Sequence, residues 1–151
     1  MNHNISKYIN DKLIELKWQD QKLSKISSIS KPQISKLKNG GVMRLSAQTF
    51  YLIVKAFGDS VSNATKTIYP DQKFTLHKYS AKPRNKLGNL ILDYELSKNS
   101  LEEVSAKTGI TEIRLNELYY RKGAPDAYEL LLIEKALDKN PGEIFEKLFK
   151  I

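Results

Sequence analysis

The second half of the chain repeats the residue pattern of the first half at a spacing of 81 residues. Ser24 and Ser105 hold the same place in the two copies, and so do Ser30 and Thr111. Four pairs of apolar residues match at this spacing: Leu23 with Val104, Ile29 with Ile110, Ile34 with Leu115, and Leu37 with Leu118. With one residue fewer in the next loop, three more pairs match: Phe50 with Leu130, Ile53 with Ile133, and Ala56 with Ala136. The sequence therefore predicts one folding unit in two tandem copies, which is too few for a solenoid.

Helix start and stop signals divide the first copy into five short helices. Ser30, Ser46 and Ser60 each precede apolar residues at helical spacing, so each is a candidate N-cap. Gly58 is expected to end the fourth helix and Pro70 to follow the fifth.

The same signals recur in the second copy. Its first helix is predicted from four residues at helical spacing, namely Leu87, Leu90, Ile91 and Tyr94. Ser100-Leu-Glu-Glu103 is a capping box, in which the serine and the glutamate satisfy each other's backbone donors. Thr111 and Asp126 are the predicted N-caps of the next two helices, and a last helix is expected after Asn140.

These signals predict an all-α protein with two five-helix domains, residues 1–69 and 85–151. The segment between them has weak periodicity and contains Pro70 and Pro83. We therefore interpret residues 70–84 as a basic linker. Domains of this size fold alone, but only marginally.

Several functional classes are disfavoured by what the chain lacks. It contains no cysteine, which excludes disulfides and thiolate chemistry and is typical of a cytoplasmic protein. His3 and His77 are far apart with no ligand set beside them, so we expect no metal and no cofactor. No glycine-rich phosphate loop or Ser/His/Asp set is present, so we expect no enzymatic activity. No apolar run approaches the length of about 20 residues that spans a bilayer, so we expect no membrane partner.

Charge is divided unevenly along the chain, which has a formal net charge of +8. Residues 1–66 carry 11 basic and four acidic side chains, whereas residues 87–151 carry nine basic and 12 acidic side chains. A basic first half joined to a slightly acidic second half indicates that only the first half faces a polyanion.

Two stretches, "LSKISSISKPQISKLKNG" and "VSAKTGITEIRLNELYYRKG", resemble the helix-turn-helix of lambda-repressor-like (Cro/XRE-type) DNA-binding domains. The family has an apolar and then a small residue in its second helix, as in Leu23-Ser24 and Val104-Ser105. Its turn is often glycine, an apolar residue, then Ser or Thr. Gly109-Ile110-Thr111 matches this turn, whereas Ser28-Ile29-Ser30 lacks the glycine. The first stretch also ends on the family's Asn39-Gly40.

The resemblance covers nearly the whole chain except the linker. It implies a sequence-specific, double-stranded DNA-binding transcriptional regulator, such as a phage-type repressor, that reads the major groove with the third helix of the first domain. Base contacts are implied for Lys31, Pro32, Gln33 and Lys36. Phosphate contacts are implied or expected for Gln19, Ser35, Lys38, Asn39 and Arg44. Asp20 departs from the family pattern, which often has Gln at this position. An acid beside phosphate is unfavourable unless it only caps the second helix.

The second copy differs at the matching outward positions, which are Glu112, Ile113, Arg114, Glu117 and Tyr120. Its two carboxylates would face DNA, so we expect the second domain to keep the fold and to lose most of its DNA affinity. Three roles stay open for it: a dimerisation module, a weaker second reading head, or a docking site for another protein.

The expected partners follow from these assignments. One such domain rarely binds DNA tightly alone, so we expect a homodimer or a tandem arrangement on a two-part site. A competing interpretation is an antitoxin or adaptor whose acidic second domain binds a protein partner.

Overall fold

The regular elements of the chain are helices throughout the ranges that the computed structural model describes, which are residues 2–80, 100–121 and 123–149. The first half holds α1 (Ile5–Leu16), α2 (Asp20–Ser27), α3 (Lys31–Lys38), α4 (Ala47–Ala56) and α5 (Val61–Ile68). The second half holds α6 (Leu101–Thr108), α7 (Glu112–Tyr120), α8 (Ala127–Ala136) and α9 (Glu143–Phe149). The predicted all-α class is confirmed for these ranges.

Two of the predicted features fall wholly or partly outside the described ranges. The helix predicted from Leu87 to Tyr94 lies outside them, as do residues 81–84 of the predicted linker. Within the described ranges, no helix has both the length and the apolar character that crossing a membrane requires.

Five helices begin at a Ser or Thr whose side-chain oxygen accepts the backbone N–H three residues further on. These N-caps are Ser30, Ser46, Ser60, Ser100 and Thr111. At the start of α8, Asp126 and Glu129 form a capping box. Because the first N–H groups of a helix have no partner inside it, each cap defines where its helix begins. The six N-caps lie where the sequence predicts them.

The helices repeat with the same spacing as the sequence. α6 begins and ends 81 residues after α2, and α8 begins and ends 80 residues after α4. The connections are also alike: the Ser24 hydroxyl donates to the Ile29 carbonyl at 2.5 Å, and the Ser105 hydroxyl donates to the Ile110 carbonyl at 2.6 Å. The duplicated sequence thus forms the same helix, three-residue turn and helix twice.

One large apolar core contains residues from both halves of the chain. Its second-half members are Ala127, Leu130, Leu131 and Phe145. The fully buried Phe145 ring lies 5.5 Å from the Phe50 ring, centroid to centroid. A smaller cluster forms within the second half from Val104, Leu115 and Ile133. Removal of α8 and α9 would therefore expose part of the core of the first half.

The halves meet through equivalent residues at the starts of α4 and α8. Two backbone hydrogen bonds join them, from Ala47 N to Pro125 O at 2.9 Å and from Ala127 N to Leu45 O at 3.0 Å. Between these bonds, the N-caps Ser46 and Asp126 pair as an isolated antiparallel bridge. Reciprocal contacts between equivalent residues are the mark of a two-fold interface. A local two-fold axis therefore passes between Ser46 and Asp126, and we call this contact the junction.

The described part of the predicted linker, residues 70–80, contacts both halves. Phe74 is half-buried, and its ring lies 6.0 Å from the Tyr69 ring and 5.3 Å from the Tyr128 ring. Further along, the His77 N–H donates to the Lys107 carbonyl at 2.8 Å. This segment thus follows the surface of the helices and joins α5 and α8 to α6.

Candidate functional site

The turn between α2 and α3 is held by side-chain hydrogen bonds of short range. The Ser27 hydroxyl oxygen accepts the Ile29 N–H at 3.2 Å, and the Ser30 oxygen accepts the Gln33 N–H at 3.3 Å. Ile29 is itself buried, so the turn is also anchored to the core. These contacts set the direction in which α3 leaves the turn.

α3 has one buried side and one exposed side. Ile34 and Leu37 are fully buried. The four residues predicted to contact bases lie on the rest of the helix: Lys31, Pro32 and Lys36 are exposed, and Gln33 is half-buried. The helix therefore presents two ammonium groups to solvent while its apolar side chains attach it to the core.

A groove of about 860 Å³ runs between the end of α1, the start of α2, and α3. Its lining includes five of the nine predicted DNA-contacting residues: Gln19, Lys31, Pro32, Ser35 and Lys38. Asn39, the C-cap of α3, lies beside it and donates its amide to the Ser35 hydroxyl at 3.4 Å. Gln33, Lys36 and Arg44 are not part of this lining.

Lys38 forms an ion pair with Asp20, the acid that departs from the family pattern. Its Nζ lies 2.8 Å from Oδ1 of Asp20, and the two side chains are 25% and 41% exposed. The Lys38 carbonyl also accepts a hydrogen bond from the Ser6 hydroxyl, which attaches the end of α3 to α1. Asp20 therefore offsets the charge of one predicted phosphate contact.

Arg44 forms an ion pair with an acid in the second half of the chain. Its Nε donates to Oδ2 of Asp126 at 3.2 Å, and its Nη2 donates to Oδ1 at 2.9 Å. This bidentate geometry is the strong form of an Arg–carboxylate contact. Sequence reasoning missed this partner, because the two residues are 82 positions apart. Arg44 therefore supports the junction in addition to its predicted role.

In α7, the helix equivalent to α3, the residue that matches Gln33 forms a half-buried ion pair. Arg114, which matches Gln33, donates to both carboxylate oxygens of Glu129 at 2.8 Å and to Glu117 at 3.2 Å. The hydrogen bonds to Glu129 raise the pKa of Arg114. Burial acts to raise the pKa of Glu129, but the hydrogen bonds from Arg114 and the Asp126 N–H hold that pKa below its ordinary value. Glu117 is thus partly neutralised within its own half, whereas Glu112 is exposed.

α7 also exposes large apolar side chains. Ile113 is 75% exposed and Tyr120 is 80% exposed. They are seven residues apart, so they lie on the same side of the helix. Their counterparts in the first half are Pro32 and Asn39. At these two positions α7 therefore presents a larger apolar surface than the first half does.

Glu134 is a buried acid that sequence reasoning did not single out. Its side chain is buried, and its carboxylate accepts the N–H groups of Gly142 at 3.0 Å and Ile144 at 2.7 Å. Burial raises the pKa of Glu134, and the N–H groups act against this rise. The carboxylate satisfies backbone donors at the start of α9. In the described part of the chain, no acid or histidine belongs to a group of three that could hold a metal ion.

Comparison with protein-family models, with curated proteins and with solved structures found no significant match to this chain. The helix-turn-helix resemblance therefore rests on the quoted residues and their spacing.

Proposed function

We propose that the chain is a sequence-specific, double-stranded DNA-binding transcriptional regulator that places α3 in the major groove. The observation that carries this proposal is the division of α3 into a buried apolar side and an exposed side with Lys31 and Lys36. The major groove, about 12 Å wide, admits one helix, and the first residues of that helix reach the base edges.

The side chains of α3 suit particular contacts. Lys31 and Lys36 supply donors for the O6 and N7 atoms of guanine, and Gln33 suits adenine. Gln19 and Ser35, which line the groove beside α3, supply polar groups for phosphates. Lys38 and Arg44 already form ion pairs with carboxylates. To bind phosphates, they would have to share these carboxylates or exchange them for the phosphates. The affinity of the first half is therefore expected to depend chiefly on Lys31 and Lys36.

In this proposal the second half is a pairing partner and at most a weak reading head. It meets the first half at the junction, and its α7 carries Glu112 and Glu117 in place of Lys31 and Lys36. A single chain then carries one competent unit and one weakened unit about a local two-fold axis. A homodimer would place two copies of α3 on a palindromic site.

The exposed Ile113 and Tyr120 favour a second candidate function, in which α7 binds a protein. Exposed aromatic and aliphatic side chains beside a carboxylate such as Glu112 are suited to a partner with an apolar surface and a basic rim. An antitoxin or adaptor role would follow from such an interaction.

The test is selection of bound sites from random duplex DNA with the full chain, followed by affinity measurements on the selected site. The double variant Lys31→Glu, Lys36→Glu is expected to lose about 100-fold or more, since each base-reading pair contributes about 1–3 kcal/mol. The control Lys25→Glu, Lys147→Glu changes the net charge equally at exposed positions outside α3 and is expected to keep site preference. Equal binding by the two double variants would refute the role of α3.

Salt dependence separates the two candidate functions. Contact with about five phosphates predicts a slope of log K against log salt near −4.5. Asp20→Asn releases Lys38, so it is expected to tighten DNA binding and to steepen the slope by about 0.9. Recovery of no duplex sequence by the full chain would favour the protein-binding candidate.

A further inference from the structure

Two matching clefts between the halves differ in charge. α4 and α9 enclose a cleft of about 360 Å³ in which Lys55 Nζ lies 2.7 Å from Oε1 of Glu146. α5 and α8 enclose the corresponding cavity, of about 520 Å³. Lys135 lines this cavity at the position of α8 that matches Lys55 in α4. α5, however, supplies Lys66 where α9 supplies Glu146 to the first cleft. Two ammonium groups thus stand where the first cleft has an ion pair.

Further lysines add to this positive charge. Lys73 and Lys139 also line the cavity. Among the described residues, no carboxylate forms an ion pair with Lys66, Lys73 or Lys135, and Lys139 reaches Glu143 only at 3.9 Å. All four lysines are exposed to solvent, and their combined positive charge would attract an anion to this cavity.

The carboxylate that lines the cavity does not serve these lysines. Glu134 directs its two oxygens to the N–H groups of Gly142 and Ile144. Its hydrogen bonds are thus committed to the start of α9. Lys135 Nζ donates to the Lys73 carbonyl at 3.3 Å, and this neutral acceptor does not offset the charge of the lysine.

Apolar side chains form another part of the wall. Tyr69 and Phe74 stand edge to face with ring centroids 6.0 Å apart, and Leu131 also lines the cavity. A volume of about 520 Å³ falls within the range of about 300–1,000 Å³ that is usual for small-molecule sites. Such sites are frequent where two parts of a fold meet, as α5 and α8 do here.

We propose that this cavity binds a small organic anion whose charged group contacts Lys66 and Lys135 and whose apolar body packs on Tyr69 and Phe74. Because α5 and α8 belong to different halves, the bound anion strengthens their association. The inference does not rest on the proposed DNA binding, since it concerns a different surface and a different ligand.

The test uses the full chain and the aromatic sulfonate dye 8-anilinonaphthalene-1-sulfonate, followed by fluorescence and calorimetry. One dye is expected to bind per chain in a saturable manner. Lys66→Glu supplies the carboxylate that Glu146 supplies in the other cleft, and is expected to weaken binding at least tenfold. Lys25→Glu makes the same charge change on α2 and is expected to bind as the unaltered chain does.

Competition and a milder variant complete the test. Benzoate and phenyl phosphate are expected to displace the dye, and acetate and inorganic phosphate to do so at least tenfold less well, because they lack the apolar body. Lys66→Gln removes the charge and keeps a polar side chain that is one atom shorter. With an unchanged circular dichroism spectrum, this variant is expected to weaken binding several-fold. Undiminished binding by both Lys66 variants, or equal competition by inorganic and phenyl phosphate, would overturn the proposal.

Discussion

At the scale of single residues, the two turns show how different residues adopt one conformation. Ser28 and Gly109 occupy equivalent positions, and both lie in the left-handed region, with φ of 61° and 77°. A residue with a side chain costs about 1–2 kcal/mol there, whereas glycine does not. The first turn adopts this conformation despite the serine, because Ser24 and Ser27 form the same hydrogen bonds as their counterparts in the second turn.

Exchange of these residues is expected to change stability in opposite directions. Ser28→Gly should raise the free energy of unfolding by up to about 1 kcal/mol, because relief of strain exceeds the added entropy of the unfolded chain. Gly109→Ala should lower it by about 1 kcal/mol, since the nearest side-chain atom, His77 Nε2, lies 3.8 Å from the added Cβ and leaves room for it. Urea unfolding measures both. A loss of stability in Ser28→Gly would show that the left-handed conformation is not strained.

At the scale of elements, α7 and α8 are joined by the ion pair between Arg114 and Glu129. The side chains are 24% and 14% exposed, so solvent screens them little. Glu129 also accepts the Asp126 N–H in the capping box. The Glu129 carboxylate therefore caps the start of α8 and also holds α7 in place. The same contact keeps the Arg114 side chain away from the exposed side of α7, the side near which the matching Gln33 lies in α3.

Arg114→Gln is expected to lower the free energy of unfolding by about 1.5–3 kcal/mol at pH 7, which is usual for loss of charge-assisted hydrogen bonds. In the folded chain the hydrogen bonds from Arg114 hold the pKa of Glu129 below its ordinary value. The stabilisation is therefore complete above the ordinary carboxyl range and is lost as the pH falls through the folded pKa. The difference between the variant and the unaltered chain should shrink as the pH falls towards 2.

Urea unfolding at a series of pH values measures this difference. Lys7→Gln is the control, because Lys7 and Asp11 form an ion pair with side chains 65% and 56% exposed, and its effect should stay below about 0.5 kcal/mol. A pH-independent cost for Arg114→Gln would mean that lost packing, and not the carboxylate, accounts for the effect.

At the scale of the whole molecule, the two copies are not independent in their packing. The core that begins with Ile5 and Ile9 in α1 extends to Phe145 in α9. Tyr51 of α4 packs on α9, with its ring 6.3 Å from Phe145 and 5.8 Å from Phe149. We therefore expect the first half to depend on the second for stability, although the sequence predicts two separate units.

Phe145→Ala tests this dependence. The single tryptophan, Trp18, lies in the first half and packs on Phe57, so its fluorescence reports the unfolding of that half. The substitution should lower the stability that Trp18 reports by about 3–5 kcal/mol, as is usual for a buried phenylalanine. Leu148→Ala, on the same helix but 57% exposed, should change it by less than about 0.5 kcal/mol. An unchanged tryptophan transition, with a separate earlier transition by circular dichroism, would show independent halves.

Much of the helical architecture could be predicted from the sequence because it depends on near neighbours in the chain. The N-caps at Ser30, Ser46 and Thr111 act on residues three positions away, and apolar spacing identified Ile34 and Leu37 as the buried side of α3. These signals need no knowledge of the rest of the fold. The exposed lysines of α3 follow from the same periodicity.

The partners of the charged residues could not be predicted in this way, because they depend on how distant helices pack. Lys38 meets Asp20 across 18 residues, and Arg44 meets Asp126 across 82. The duplication shows that two copies exist, but not that they join through Ser46 and Asp126 or enclose a lysine-lined cavity. Local residues set the helices and their faces through short-range hydrogen bonds and periodicity. The packing of the helices, within each half and between the halves, set which charges are offset and which still face solvent.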